Sequence, residues 1–184
     1  MMSKDEVELR IKWHNSVSSR MEDQKIIRRQ YLKRIFVVPK EVFPPAWMSK
    51  LLGKSILEIV KKGDRVLDMG TGCGVKAILA ASRSTNFVAV DINPFAVDAG
   101  KSNPRRNGVA DRIEFIQSNL FESVKGRFDL IIFDPPFRWF TPRDLREMSF
   151  ADENFESMNA FFENVKNYLS EKGRILISMV TLEI

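Results

Sequence analysis

The 184-residue sequence predicts an α/β fold, a mainly parallel sheet wound by helices on both faces. Three observations carry that expectation. Short apolar runs bounded by turn residues alternate with helix-like segments along most of the chain. A glycine-rich turn, Gly70 to Gly74, joins one such run directly to a helix-forming stretch. A later run, Phe128-Asp-Leu-Ile-Ile-Phe133, ends in Asp134-Pro135-Pro136-Phe137. Two consecutive prolines can neither continue a strand ladder nor enter a helix interior, so the backbone is rigid where that strand ends.

The elements follow in order. Residues 1–20 show no firm period and predict a loosely docked leader, with Trp13 and a lone surface His14 that has no partner at metal-ligand spacing. From Met21 to Arg34, Ile26, Ile27, Gln30 and Tyr31 give a modest helical face. Ile35–Val38 is a short extended stretch that meets Pro39, and Val42-Phe43-Pro44-Pro45 reads as a Pro-rich linker. Trp47–Lys61 is an amphipathic helix with Leu51, Leu52, Ile56, Ile59 and Val60 inward, closed by Gly63.

Val66–Met69 is the first core strand, followed by the glycine turn and the helix Lys76–Ala81. Phe87–Val90 is the second, ending in Asp91. Asn93 caps a helix with Pro94 at its first position, running through Phe95, Val97 and Ala99 until Pro104 and Asn107-Gly108 end it. Ile113–Gln117 is a third strand and Phe128–Phe133 a fourth. Phe155–Leu169 is a helix burying Met158, Phe161, Phe162, Val165 and Leu169; Gly173 closes it, and Arg174–Val180 is a fifth strand. The chain shows no repeats and no low-complexity tracts.

Composition narrows the function classes. No run approaches eighteen apolar residues and the N-terminus is charged, which excludes a membrane span or a secretory signal from the reading. The single cysteine, Cys73, cannot form an internal disulfide, so a cytoplasmic, reducing setting is expected. Cys73 reads as a small residue that fits among glycines, not a nucleophile. No metal site is expected. The net charge of +5 is uneven: residues 1–40 carry ten Lys/Arg and five Asp/Glu, while the rest carries nineteen of each. Arg28, Arg29, Lys33 and Arg34 would form a phosphate-attracting stripe on a helix, or else a solvated face.

The motifs carry the chemistry. Gly70, Gly72 and Gly74 allow positive φ and close approach of a ligand to the backbone. The helix after them aims free N–H groups at whatever is bound. Asp91, twenty-one residues after Gly70, places a carboxylate at the neighbouring strand tip, where a ribose diol is gripped. A dinucleotide site shares these features, but the third glycine of its fingerprint is Val75 here. Asp68 in the strand exit is awkward beside a pyrophosphate and suits an ammonium or sulfonium ligand. The Asp134 corner presents a carboxylate, a free backbone carbonyl (Asp134 or Pro135) and an aromatic face. That set suits a planar group bearing an NH2, such as a nucleobase edge or a carboxamide.

Val66 to Gly74, Asp91-Ile92-Asn93, Asn119-Leu120 and Asp134 to Phe137, in this order and spacing, resemble the class I S-adenosylmethionine-dependent methyltransferases over roughly Val37 to Val180. The Asp-Pro-Pro-Phe tetrapeptide is similar to that of the enzymes methylating exocyclic or amide nitrogen: adenine-N6, guanine-N2 and release-factor glutamine. Glutamine methyltransferases usually carry Asn-Pro-Pro-Tyr, so Asp134 and Phe137 tilt the expectation to a nucleobase.

The resemblance implies a Rossmann-like doubly wound domain over residues 41–184, with residues 1–40 a basic extension. The family's sheet normally has two further strands, which leads to the expectation that the natural chain continues beyond Ile184 or that another chain covers the edge. It implies S-adenosyl-L-methionine as cofactor, held by Asp68, Gly70, Thr71, Gly72, Gly74, Asp91, Ile92, Asn93, Asn119 and Leu120. Asp91 holds the ribose hydroxyls, Ile92 flanks the adenine and Asn119 reads its edge. Gly70 and Gly72 lie against the methionine part, with Asp68 on its ammonium directly or through water. Val42–Pro45 resembles the entry segment that lies against the cofactor in relatives.

Asp134, Pro135, Pro136 and Phe137 are the expected catalytic set. Asp134 and the Pro135 carbonyl accept both N–H bonds of the acceptor nitrogen and Phe137 stacks on its plane, worth roughly 1–3 kcal/mol for a base. Arg138, Arg143, Arg146 and Trp139 form an expected recognition loop for phosphate and bases. The leading expectation is N-methylation of a nucleobase, most naturally in RNA. The alternatives are a protein glutamine, a non-catalytic cofactor-binding scaffold and, last, an NAD-dependent oxidoreductase. Oligomeric state is not legible.

Overall fold

A computed structural model of the protein describes residues 3–22, 26–45 and 49–179. Ala46 to Met48, including Trp47, and Val180 to Ile184 lie outside the described residues, as does the side chain of His14.

Five strands form the central sheet: β3 (Arg65–Met69), β4 (Asn86–Asp91), β5 (Ile113–Gln117), β6 (Phe128–Phe133) and β7 (Leu169–Ile177). β1 and β2 are the hairpin described below. The order is β5-β4-β3-β6-β7 and every pairing is parallel. The chain leaves β3 in one direction for β4 and returns on its other side as β6, which makes the β3/β6 boundary the topological switch point. Met69 stands beside both Val90 and Phe133. The residues that follow, at 70, 91 and 134, therefore emerge together at one end of the sheet.

Period-two alternation sorts the side chains between two buried faces. Val66, Leu130 and Ile132 join one apolar cluster with Ile56 of α2 (Ser49–Ile59), Ile78 and Leu79 of α3 (Val75–Ala80) and Ala96 of α4 (Pro94–Arg106). Leu67, Met69, Ile131 and Phe133 face the other cluster, closed by Phe161 of α5 (Glu156–Asn164). Asn93 caps α4, its Oδ1 accepting from the Phe95 N–H at 3.0 Å, with Pro94 in the first position. The doubly wound α/β architecture is as expected.

Several local expectations are corrected. Residues 4–22 form a helix, α1 (Lys4–Glu22). It opens on a capping box: Ser3 N–H donates to Glu6 Oε2 at 2.6 Å, and Glu6 N–H to Ser3 Oγ at 3.2 Å. The segment from Met21 to Arg34 is not one helix. From Ile26 it becomes an antiparallel hairpin, β1 (Ile26–Tyr31) and β2 (Arg34–Pro39), turning through Leu32 and Lys33 at φ 44° and 64°. Tyr31, Phe36 and Val38 of this hairpin are buried in the same cluster as α2 and α3. Adjacent strand residues point to opposite faces, so Arg28 and Arg29 do not form a single stripe.

α4 continues through Pro104 to Arg106, held where Asn103 Nδ2 donates to the carbonyls of Val37 and Cys73. α5 starts at Glu156, after Asn154 and Phe155 in the left-handed region, and Asp152 accepts from the N–H groups of Ser157 and Met158. β7 begins at Leu169, so Gly173 lies inside a strand instead of closing a helix. A Cβ there would stand 2.8 Å from the Phe128 carbonyl oxygen, which only glycine avoids. Inward packing also fails at Leu51 (70% exposed) and Phe162 (51% exposed). Among the described residues, β7 pairs only with β6, no helix is long and apolar enough to cross a membrane, and no group of His, Cys, Asp or Glu is placed to hold a metal.

Candidate active site

A cleft opens at the carboxyl ends of β3, β4, β5 and β6. Its wall takes Gly70, Thr71 and Gly72 from the loop after β3, and Asp91, Ile92 and Asn93 from the end of β4. Ser118, Asn119 and Leu120 follow β5, and Asp134 and Pro136 follow β6. Phe43, Pro44 and Pro45 border it as well, tied in where Asn93 Nδ2 donates to the Glu41 carbonyl at 2.8 Å. The far side is lined by Leu145, Met148, Ser149 and Ser157.

Gly70 and Gly72 have φ of 63° and 56°, and nothing lies within 4 Å of where a Cβ would stand. The backbone there is open for a ligand's close approach. Asp91 is half-buried; its Oδ2 accepts from the Gly72 N–H at 2.8 Å and its Oδ1 from the Asn93 N–H at 2.9 Å. Burial nevertheless pushes the Asp91 carboxyl above its usual range, against the lowering effect of those two N–H groups. Ile92 is 39% exposed beside it, an apolar surface at the rim. Asn119 is exposed and donates to Glu122 Oε1 at 2.9 Å.

Two members of the expected cofactor set lie behind the wall. Gly74 is buried with Gly100 Cα 3.4 Å from its virtual Cβ, so it serves helix packing. Asp68 is fully buried; its Oδ2 accepts from the Thr71 hydroxyl at 2.7 Å and the Ala77 N–H at 3.2 Å. One of the helix N–H groups expected to face a ligand is therefore used by Asp68. Its Oδ1 accepts no hydrogen bond and faces Lys76 Nζ at 3.8 Å. Burial pushes this carboxyl up, while Lys76, Thr71 and Ala77 pull the other way.

Lys76 is a site residue that sequence reasoning missed. It lies in the cleft wall with its side chain 12% exposed, and Nζ donates to the Gly70 carbonyl at 3.0 Å. Burial would lower its pKa, but Asp68, Asp134 and Asp91 outweigh it and hold the ammonium above its usual range. The available signal was one lysine at the start of the apolar run Ala77-Ile-Leu-Ala-Ala81.

Of the expected catalytic set, Asp134 and Pro136 reach the wall, whereas buried Pro135 and half-buried Phe137 do not line it. The Phe137 ring stands 5.9 Å from the Arg138 guanidinium. Asp134 Oδ1 accepts from the Ser178 hydroxyl, which orients the carboxylate. Cys73 is buried and its thiol is pushed up to about 12 by burial, so it stays an unreactive thiol.

Of the arginines expected to form a recognition loop, Arg138 is used inside the protein, whereas Arg143 is exposed. Arg138 is 6% exposed, its guanidinium 3.8 Å from the Trp13 ring centroid and 4.8 Å from that of Phe150. Burial pushes it down to about 10, with Glu147 opposing. Arg143 Nε donates to buried Glu147 at 2.8 Å.

A family described as "Methyltransferase small domain" matches residues 48–181. A Methanocaldococcus jannaschii protein, provisionally described as a protein N5-glutamine methyltransferase, is 36% identical over 150 residues, 77% of this chain and 74% of its own. The release factor glutamine methyltransferase of Agrobacterium fabrum is 35% identical over 109 residues, 55% of this chain and 38% of its own. Among solved structures, the Thermus thermophilus 16S rRNA N2 G1207 methyltransferase superposes with a TM-score of 0.64 at 21% identity, covering 83% of this chain and 41% of that one. The chain thus spans about three quarters of the first relative and less than half of the other two.

Proposed function

Because the chain belongs to the methyltransferase small domain family and is an S-adenosylmethionine-dependent methyltransferase, we propose that it methylates a planar NH2 nitrogen, the side-chain amide of a protein glutamine. The observation that carries the nitrogen is the Asp134-Pro135-Pro136 corner. It holds a carboxylate at the cleft wall, with one oxygen fixed by Ser178 and the other open to an N–H donor.

The wall fits the cofactor. The open backbone at Gly70 and Gly72 admits its amino-acid end, while Asp91 and Ile92 offer a diol acceptor and an apolar surface to the nucleoside. When bound, S-adenosylmethionine supplies an electrophilic methyl group on sulfur. The residues of this chain supply alignment, which is worth up to roughly 7–11 kcal/mol in well-oriented reactions. An amide nitrogen has its lone pair delocalised. A hydrogen bond from its N–H to Asp134 draws the nitrogen toward tetrahedral geometry and frees that pair.

The glutamine reading is supported by the two protein-methylating relatives and by the far wall. Leu145, Met148, Ser149 and Ser157 are apolar or hydroxylic, and the nearby Arg138 is buried against Trp13. A nucleobase in RNA is the second reading, favoured by the exposed basic residues Arg28, Arg29 and Lys33 on the hairpin. Tritiated-methyl transfer to fractionated protein and RNA from a strain lacking the enzyme discriminates them: label is expected in protein, at glutamine. Asp134→Ala is expected to lower transfer at least about 100-fold with cofactor affinity kept. Asp134→Asn, which keeps an accepting oxygen, is expected to retain part of it. Full activity in Asp134→Ala would overturn the mechanism.

A further inference from the structure

We propose that Lys76 reads the amino-acid end of the cofactor, its ammonium binding the α-carboxylate. The inference rests on the cofactor and is independent of which acceptor is methylated.

Four observations lead there. Lys76 is the only cationic side chain among the described residues that line the cleft. It sits beside the open backbone of Gly70 and Gly72, the part of the wall with room for a compact polar group.

Four backbone donors that might otherwise take a carboxylate are spent within the loop. Thr71 N–H goes to the Val90 carbonyl, Gly72 N–H to Asp91, Gly74 N–H to the Thr71 carbonyl and Ala77 N–H to Asp68. A carboxylate entering this corner therefore meets the Lys76 ammonium as its one charged donor.

Lastly, Lys76 is built to stay charged there. Asp68 stands behind it at 3.8 Å with a buried oxygen that accepts no hydrogen bond, and Asp91 and Asp134 add to the negative field. A lysine ammonium is a compact charge with three donors on a flexible stem. It can keep Asp68 as counter-charge and turn a remaining proton to a ligand.

A structural role alone, in which Lys76 only neutralises buried Asp68, makes a different forecast. The test is a cycle between Lys76 and the ligand carboxylate, read by calorimetry on the full chain. S-adenosylmethionine is compared with its decarboxylated form, which keeps the sulfonium and the amine. Wild type is expected to bind the decarboxylated ligand at least about 10-fold more weakly, as suits loss of a charge-assisted contact. Lys76→Met is expected to weaken S-adenosylmethionine by a similar factor, to leave the decarboxylated ligand within about twofold, and so to abolish the difference between them.

Lys76→Arg is expected to restore part of that discrimination. Equal loss of both ligands in Lys76→Met marks a purely structural lysine and overturns the proposal. Equal affinity of the two ligands for wild type overturns it without any variant, so the proposal stays falsifiable if Lys76→Met unfolds. A failed glutamine assignment would leave all of these affinities unchanged.

Discussion

Single residues in this cleft hold charge against burial. Asp91 spends both oxygens on backbone N–H groups yet remains half-exposed at the rim. Asp91→Ala is expected to weaken S-adenosylhomocysteine binding by roughly 1.5–3 kcal/mol, the loss of hydrogen bonds to a charged group, measured by calorimetry. Cys73 and Tyr31 are both pushed up to about 12 by burial, with Asp134 adding to the effect at Tyr31. Their unfolded values are about 8.5 and about 10. Each raised pKa contributes stability that is complete below the unfolded value and is lost as pH rises toward the folded one. Denaturant unfolding is therefore expected to show stability falling above about pH 9, and Cys73→Ala to make that decline shallower. A steeper decline in Cys73→Ala would contradict the burial of the thiol.

At the scale of elements, the hairpin of β1 and β2 makes the sharpest forecast. Lys33 is exposed and adopts φ 64° at the turn. A left-handed L-residue costs roughly 1–2 kcal/mol, and glycine in exchange costs roughly 0.5–1 kcal/mol of chain entropy. Lys33→Gly is thus expected to stabilise the protein slightly and raise Tm by a few degrees. In a helix the same change would destabilise by about 1 kcal/mol, so the sign alone distinguishes the two local structures. Helix α1 docks through Trp13, whose ring covers Arg138 one residue beyond the Asp134–Phe137 corner. Trp13→Ala is expected to cost about 1–2 kcal/mol of stability through the lost cation–π contact and burial, read from thermal unfolding.

Across the whole molecule, charge is unevenly spread. Arg28, Arg29 and Lys33 are exposed on the hairpin, and Arg105 and Arg106 are exposed at the end of α4. The two elements are joined because Asn103 and Asn107 bond to the backbone of Val37 and Ile35 in β2. Changing Arg28, Arg29, Lys33 and Arg34 to Gln separates the two acceptor readings. With a glutamine acceptor, methyl transfer is expected to stay within about twofold of the parent, since none of these side chains lines the cleft. With an RNA acceptor, binding weakens and the slope of log affinity against log salt shrinks by roughly three.

What the sequence determined by itself is the sheet and the loops at its carboxyl end. The strands Ile113–Gln117 and Phe128–Phe133 were legible to the residue. Phe128–Phe133 was so because a buried parallel strand is a nearly continuous apolar run closed by turn residues. Ile113–Gln117, a partly buried edge strand, was so because Ile113, Phe115 and Ile116 stand between turn signals. Gly70, Gly72, Asp91 and Asp134 were legible because a tight turn, a strand tip and a Pro-Pro corner impose local demands that few residue types meet. The hairpin was not, since Ile26, Ile27 and Tyr31 fit either period until Val38 and Arg34 are found across from them. Lys76 was not, because a lysine opening a helix ordinarily faces water. Here the tertiary structure brings Asp68, Asp91 and Asp134 around it from three strand ends. Arg138 was misread for the same reason: Trp13, far away in sequence, covers it. Backbone shape is set by neighbours along the chain, whereas the partner of a charge is set by distance in space, which only folding decides.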